Sequence, residues 1–308
     1  MELVSREIIY DFLDFILKMK EEKTVKSYIS IKNILNAFSI PLSYTKIPAG
    51  TPIFRNRVHE NPKNRIDENL FQRIEDISHI TNPQIIIDFG RANEPMQSIF
   101  YGSTTSETAF FETSRTSRSQ NDINFEINTI GQWILQEDIN IAFLPLNSTN
   151  RGKYSIADRL DADFQQLIKV FKNDNTDDLQ KVLELFSIEF STDSRGKEND
   201  YLISCAFANY IYDQIGVEYE SNEELVIDGI MYPSVQLISS GLNLALKSHL
   251  VETQKLKLEK VICQKIELIR DNTYCNTEII NSKSINYNNW EINWDKRINK
   301  TNSPMQDQ

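Results

Sequence analysis

Within residues 90–112, "GRANEPMQSIFYGSTTSETAFFE", an arginine follows a glycine, a tyrosine closes an apolar run and a glutamate sits among aromatics. Arg91 brings a planar guanidinium that stays charged and can bind phosphate through paired N–H donors. Tyr101 offers a ring to stack on a flat heterocycle and a hydroxyl to hydrogen bond. Glu112, beside Phe110 and Phe111, is a carboxylate that needs a partner if enclosed. It could hold a ribose hydroxyl or answer positive charge developing at an anomeric carbon. Arg55 and Arg57 in "IFRNR" are further candidates for an anion, and Ser234, behind Pro233 in "DGIMYPSVQ", has a hydroxyl for phosphate or ribose. Each residue also has a plainer use. An arginine is commonly a surface ion pair, a tyrosine a core side chain, a glutamate the wet face of a helix, and a serine after proline a turn cap.

Other chemistries have less support. Ser234 lies in no GxSxG elbow and has no evident histidine partner, which disfavours a serine hydrolase. His59, His79 and His249 are scattered without an HExxH pattern, and Cys205, Cys263 and Cys275 show no CxxC spacing. No metal is therefore expected, and the thiols read as reduced and structural. The nine glycines form neither GxGxxG nor GxxxxGK[ST], so a nucleotide would have to be bound in another way. With 33 Lys plus Arg against 44 Asp plus Glu in 308 residues, the net charge of −11 argues against nucleic acid and anionic membranes as partners. An anionic ligand must then be met by a few placed arginines, among which Arg115 and Arg118 read most economically as a solvated loop. The chain lacks an 18-residue apolar run, and "MELVSREIIYDF" carries charges where a secretory signal would be apolar, so a cytoplasmic setting is expected.

The elements that must position these residues follow from periodicity. Ile8, Ile9, Phe12, Phe15, Ile16 and Met19 recur at helical spacing, and "KSYISIKNILNAFSI" predicts a second helix. Pro-punctuated extended chain then begins near residue 45. This gives a helical extension over 1–45, a main domain over 46–295 and a flexible tail over 296–308. The N-terminal stripe could pack on its own domain, form a homodimer or receive an inhibitory protein. "PQIIIDFG", "QSIFYGS", "INFEINTIG" and "INIAFLPL" predict strands, and "STTSETAFFETS" predicts a helix, with Thr104 and Glu107 at capping-box spacing. Phe164, Leu167, Ile168 and Phe171, then Leu179, Val182, Leu183 and Phe186, predict two helices forming an insertion over about 160–190. "NDYLISCAFANYIYDQIG" predicts an apolar helix ending at Gly216. "LVIDGIMYPSVQLISSGLNLAL" reads as strand, loop and helix start, and "LKLEKVICQKIELI" as a late strand.

Taken in order, "GRAN", "IFYGSTTSETAFFE" and "DGIMYPSVQLISSGLNLAL" resemble the RES domain family over roughly residues 50 to 270. The resemblance implies an α+β fold with an ADP-ribosyltransferase-like split β-sheet core, here with N-terminal helices and a helical insertion. It implies NAD as substrate, cleavage of the nicotinamide glycosidic bond, and transfer of ADP-ribose to water, phosphate or a protein. Matching positions make Arg91 the phosphate-binding arginine, Tyr101 the nicotinamide-stacking ring, Glu112 the ribose-contacting carboxylate and Ser234 the motif serine, with Arg55 matching an early arginine after an aromatic. A toxin or defence role and an antitoxin or immunity protein as partner are implied likewise. Ala92 stands where the family usually has a large aromatic. A non-catalytic nucleotide-binding or protein-interaction module is the alternative reading.

Overall fold

The computed structural model describes residues 6–37, 40, 43–115, 124–144, 158, 162, 176–192, 200–213, 215–217, 224–234, 241–270, 273–295 and 297–304. The first half of the chain forms α1 (Arg6–Glu22), α2 (Val25–Ala37), β1 (Ser43–Ile47), β2 (Pro52–Val58), β3 (Ile99–Ser103), α3 (Ser106–Thr113), β4 (Phe125–Leu135) and β5 (Ile139–Phe143). Then come α4 (Thr176–Ser191), α5 (Leu202–Tyr212), β6 (Ile215–Val217), β7 (Glu224–Val226), β8 (Gly229–Pro233), β9 (Leu242–Lys247) and α6 (His249–Glu252). The last strands are β10 (Leu256–Arg270), β11 (Thr273–Asn286), β12 (Glu291–Trp294) and β13 (Asn299–Pro304). Among the described residues, no helix is long and apolar enough to cross a membrane.

The chain divides into two compact units. The first comprises Met1–Ile47, Asn82–Ile99 and Asp138–Lys247. Its strands run in the order β1-β5-β8-β9, with β5 and β8 parallel and the other two pairs antiparallel. A parallel pair needs a long crossover, and α4 and α5 lie in the chain between β5 and β8. Every residue of α5 is buried, as its all-round apolar sequence requires. Phe207 on α5 stacks on Phe186 of α4 at 3.8 Å, and Phe12 of α1 meets Phe186 at 6.5 Å. Ile9, Phe12, Ile16 and Met19 of α1 are buried, so the predicted N-terminal stripe packs within its own unit.

The second unit comprises Pro48–Thr81, Phe100–Glu137 and Ser248–Gln308. It is antiparallel: β2 pairs with β3 and β4, β4 with β10, β10 with β11, and β11 with both β12 and β13. Trp133 is fully buried and meets Phe100 edge-on at 5.0 Å. A Cβ on Gly102 would lie 2.7 Å from Ile53 Cγ2, so β3 approaches β2 closely only because residue 102 lacks a side chain. Sheet and helix together make the protein α+β.

Several local expectations are corrected. "PQIIIDFG" is not a strand: Asn82 caps a short 3-10 turn at Pro83–Ile85, and Ile85 and Ile87 are exposed. The apolar helix ends at Tyr212, with Gly216 inside β6, and "LNLALK" is strand β9 rather than a helix start. The segment 299–304, expected within a flexible tail, forms β13 on β11 because the partner's backbone supplies the hydrogen bonds that side-chain periodicity does not announce. Of the insertion, the second helix is α4, whereas Phe164, Leu167, Ile168 and Phe171 lie outside the described residues, as does Arg118.

Candidate functional site

In the first unit, Arg91 stands on a turn that Gly90 N–H closes on the Asn93 carbonyl at 2.9 Å. Its guanidinium lies 5.3 Å from the Tyr201 ring and 5.7 Å from the Tyr232 ring, and Nη2 donates to the Thr192 carbonyl at 3.1 Å. The residue after α4, the residue before α5 and strand β8 thus converge on one cation, which two aromatic faces and a carbonyl meet. Ser234 is buried, and its N–H donates to the Gly241 carbonyl at 2.9 Å, which carries the β8–β9 register one residue further. Alternation along the strand puts Ser234 on the side that Tyr232 presents to Arg91. Arg91 and Ser234, remote in sequence, therefore share a face of this unit. Ala92 is fully enclosed, so a ring at that position would require its surroundings to open.

In the second unit, alternation along β2 puts Ile53, Arg55 and Arg57 on one face and Phe54, Asn56 and Val58 on the other. Arg55 is half-buried. It donates from Nη1 to the Tyr101 carbonyl at 2.6 Å and lies 5.4 Å from the Phe100 ring, while its Nε is buried with no hydrogen-bond partner among the described residues. No carboxylate among the described residues pairs with it. Burial, then the like charge of Arg57, lowers its pKa to about 10, with Tyr101 acting in the opposite sense. The group is still protonated at neutral pH. Arg57 donates to the Asp76 carbonyl at 2.8 Å, while the Asp76 carboxylate accepts the Arg73 N–H at 2.9 Å. Two neighbouring guanidinium groups are thus met by backbone carbonyls and, for Arg55, the Phe100 ring, with no carboxylate partner among the described residues.

Phe100 faces Arg55, so the next residue, Tyr101, projects from the opposite side of β3, the side on which α3 packs. The helix begins at Thr105, whose hydroxyl oxygen accepts the Thr108 N–H at 3.1 Å; the capping box expected at Thr104 and Glu107 does not form, and Glu107 is exposed. At ~100° per residue, Glu112 falls between Thr108 and Ala109 on the helix circumference. Both of those residues are buried and Glu112 is half-buried, so its carboxylate belongs to the strand-facing side of α3 rather than the wet side. Tyr101 and Glu112 are brought to one face of this unit, and Arg55 reaches the Tyr101 backbone from the other. Just past α3, Arg115 is half-buried, and its N–H donates to the buried Glu126 at 2.6 Å.

A Ser-His-Glu array also occurs here. Ser78 Oγ lies 3.0 Å from His79 Nδ1, and His79 Nε2 lies 3.5 Å from Glu252. Ser78 is only 1% exposed, which denies it an acyl substrate, and burial lowers the His79 pKa against the opposing pull of Glu252. The array is a packing arrangement.

Sequence reasoning passed over Tyr201 and Tyr232 beside Arg91, and Asn56, Glu126 and Asn128 beneath α3. Tyr232 had a usable signal, since it stands two residues before Ser234 on a strand; the others had none. Among known protein families, the RES domain matches residues 75–259, a range that takes in Arg91, Tyr101, Glu112 and Ser234 and leaves Arg55 before it. No curated protein and no solved structure matches. The RES domain is associated with NAD-related, toxin-like proteins. With more than half its length matched, and with the ordered arginine, glutamate and serine in place, this chain belongs to the RES domain family.

Proposed function

We propose that the protein is an NAD-consuming enzyme, built on an ADP-ribosyltransferase-like core, that cleaves the bond between nicotinamide and ribose. The observation that carries this reading is the placement of Tyr101 and the half-buried Glu112 on one face of the second unit, a ring platform beside a carboxylate. In a chain of net charge −11 an anionic ligand must be met by placed arginines, and Arg55 has no carboxylate partner among the described residues. A diphosphate is such a ligand, and Arg91 is the second phosphate-binding arginine in this reading. Tyr101 supplies a ring for the nicotinamide, and Ser234 a hydroxyl for phosphate or ribose.

In the reaction, the C1′–N bond of the nicotinamide riboside breaks and its electron pair returns to the pyridinium nitrogen. Nicotinamide leaves as a neutral molecule, so no proton need be given to it. Positive charge develops on the ribose, where the Glu112 carboxylate stabilises it. Water, phosphate or a protein nucleophile then adds at C1′ and loses its proton. A cytoplasmic setting and an antitoxin or immunity protein as partner belong to the same proposal.

Incubating the purified protein with NAD, following free nicotinamide and measuring NAD affinity by calorimetry tests it. Nicotinamide release above a buffer control supports the enzyme. NAD bound without release supports the non-catalytic nucleotide-binding module, and neither binding nor release overturns both readings.

A further inference from the structure

The last turn of α3 is tied down by buried polar side chains that the proposed chemistry does not itself use. Asn56 on β2 is 5% exposed, and Glu126 and Asn128 on β4 are 2% and 0% exposed. Asn56 Nδ2 donates to Thr113 Oγ1 at 2.6 Å and to Asn128 Oδ1 at 2.9 Å. Asn128 Nδ2 donates to Glu126 Oε1, and Arg115 N–H donates to Glu126 Oε2 at 2.6 Å. All of these residues belong to the second unit.

The sense of donation is set from one end. Asn128 turns its amide nitrogen to Glu126 Oε1, which leaves its oxygen facing Asn56. Asn56 must then present its nitrogen, whose two hydrogens reach Asn128 and Thr113. Thr113 can accept because its own hydroxyl hydrogen goes to the Ala109 carbonyl at 3.1 Å. Reversing either amide would set donor against donor or acceptor against acceptor in a buried place. The two points where this line grips the chain, Thr113 and Arg115, lie just past Glu112, with Ser114 between them. An eight-residue helix cannot hold its own last turn, since isolated helices shorter than about 12 residues are marginal.

We propose that Asn56, Asn128 and Glu126 are positioning residues: a buried hydrogen-bond line that fixes the end of α3 and, through it, the Glu112 carboxylate. The inference rests on the reading of Glu112 as the group that stabilises charge on the ribose.

The test uses Asn56→Ala and Thr113→Val in the full chain. Thr113 lies at the exposed helix end and keeps its shape as valine, so that variant folds even if Asn56→Ala does not. Hydrogen–deuterium exchange over residues 109–115 is read beside NAD affinity and turnover. Both variants are expected to speed exchange in that segment alone by ~10-fold and to cut turnover by ~10-fold, with NAD affinity held within about twofold. Thr113→Ser restores both. In a Glu112→Gln background, neither substitution costs further turnover, because the line acts through that carboxylate. Unchanged exchange in both variants overturns the anchorage, and an undiminished loss in the Glu112→Gln background overturns action through Glu112. A parent that releases no nicotinamide sinks the functional reading instead, and exchange over 109–115 alone then supports or overturns the anchorage.

Discussion

The two arginines that read as anion anchors are held in different surroundings. Arg91, in the first unit, has two tyrosine faces and a carbonyl around its guanidinium. Arg55, in the second, has one ring, one carbonyl and a like-charged neighbour. The sequence favoured Arg91, because a Gly-Arg turn is conspicuous. The structure marks out Arg55 by its burial and by the like charge of Arg57, which together lower its pKa to about 10. The lesson is that a motif arginine is recognised by its neighbours in the chain, whereas a buried guanidinium is recognised by its neighbours in space.

The comparison predicts four outcomes. The largest effect is expected from neither arginine. Glu112→Gln keeps the side-chain shape and should lower nicotinamide release by ~100-fold while leaving NAD affinity nearly unchanged, since it answers charge present only in the transition state. Turnover equal to the parent would remove Glu112 from the mechanism. Next, Arg55→Met should weaken NAD binding by ~30-fold in calorimetry, the scale of a lost charged hydrogen bond of about 2 kcal/mol. The same change should raise the thermal midpoint by about 2 °C, because it removes a desolvated charge repelled by Arg57. A lowered midpoint would mean that Arg55 is structural.

Arg91→Ala should weaken NAD binding by ~10-fold and lower the midpoint by a few degrees, since two cation–π contacts are lost. The opposite signs of the midpoint changes are the sharpest break between the two sites. If both variants are destabilised alike, the contrast is wrong. The smallest effect concerns pH. Burial and the charge of Arg57 lower the His59 pKa to about 4, against an ordinary value near 6.5. Between those values the unfolded chain binds the extra proton, so stability falls as pH drops from about 6.5 toward 4. Because the ring is partly exposed, the expected loss is on the order of 1 kcal/mol. His59→Gln should flatten this part of the stability curve, measured by urea unfolding across that range.

The sequence by itself determined the elements whose periodicity is local. The stripe of Ile9, Phe12, Ile16 and Met19 made α1, the apolar run over 202–212 made a buried helix, and "IFYGS" and "FEINTIG" made β3 and the start of β4. It also determined the order of arginine, tyrosine, glutamate and serine that marks the family. Elements stabilised from outside were less legible. The apolar "IIID" after Pro83 looked like a strand but finds no ladder, whereas polar "NKTNSP" forms β13 because β11 offers it hydrogen bonds. Only the tertiary structure decided which charges stay unneutralised. That Arg55 has no carboxylate partner among the described residues, that Tyr232 lies over Arg91, and that Asn56 and Asn128 are oriented by Glu126 are facts about neighbours distant in sequence. Electrostatic and hydrogen-bond demands are met or left open across strands, and no local pattern of residue types records the outcome.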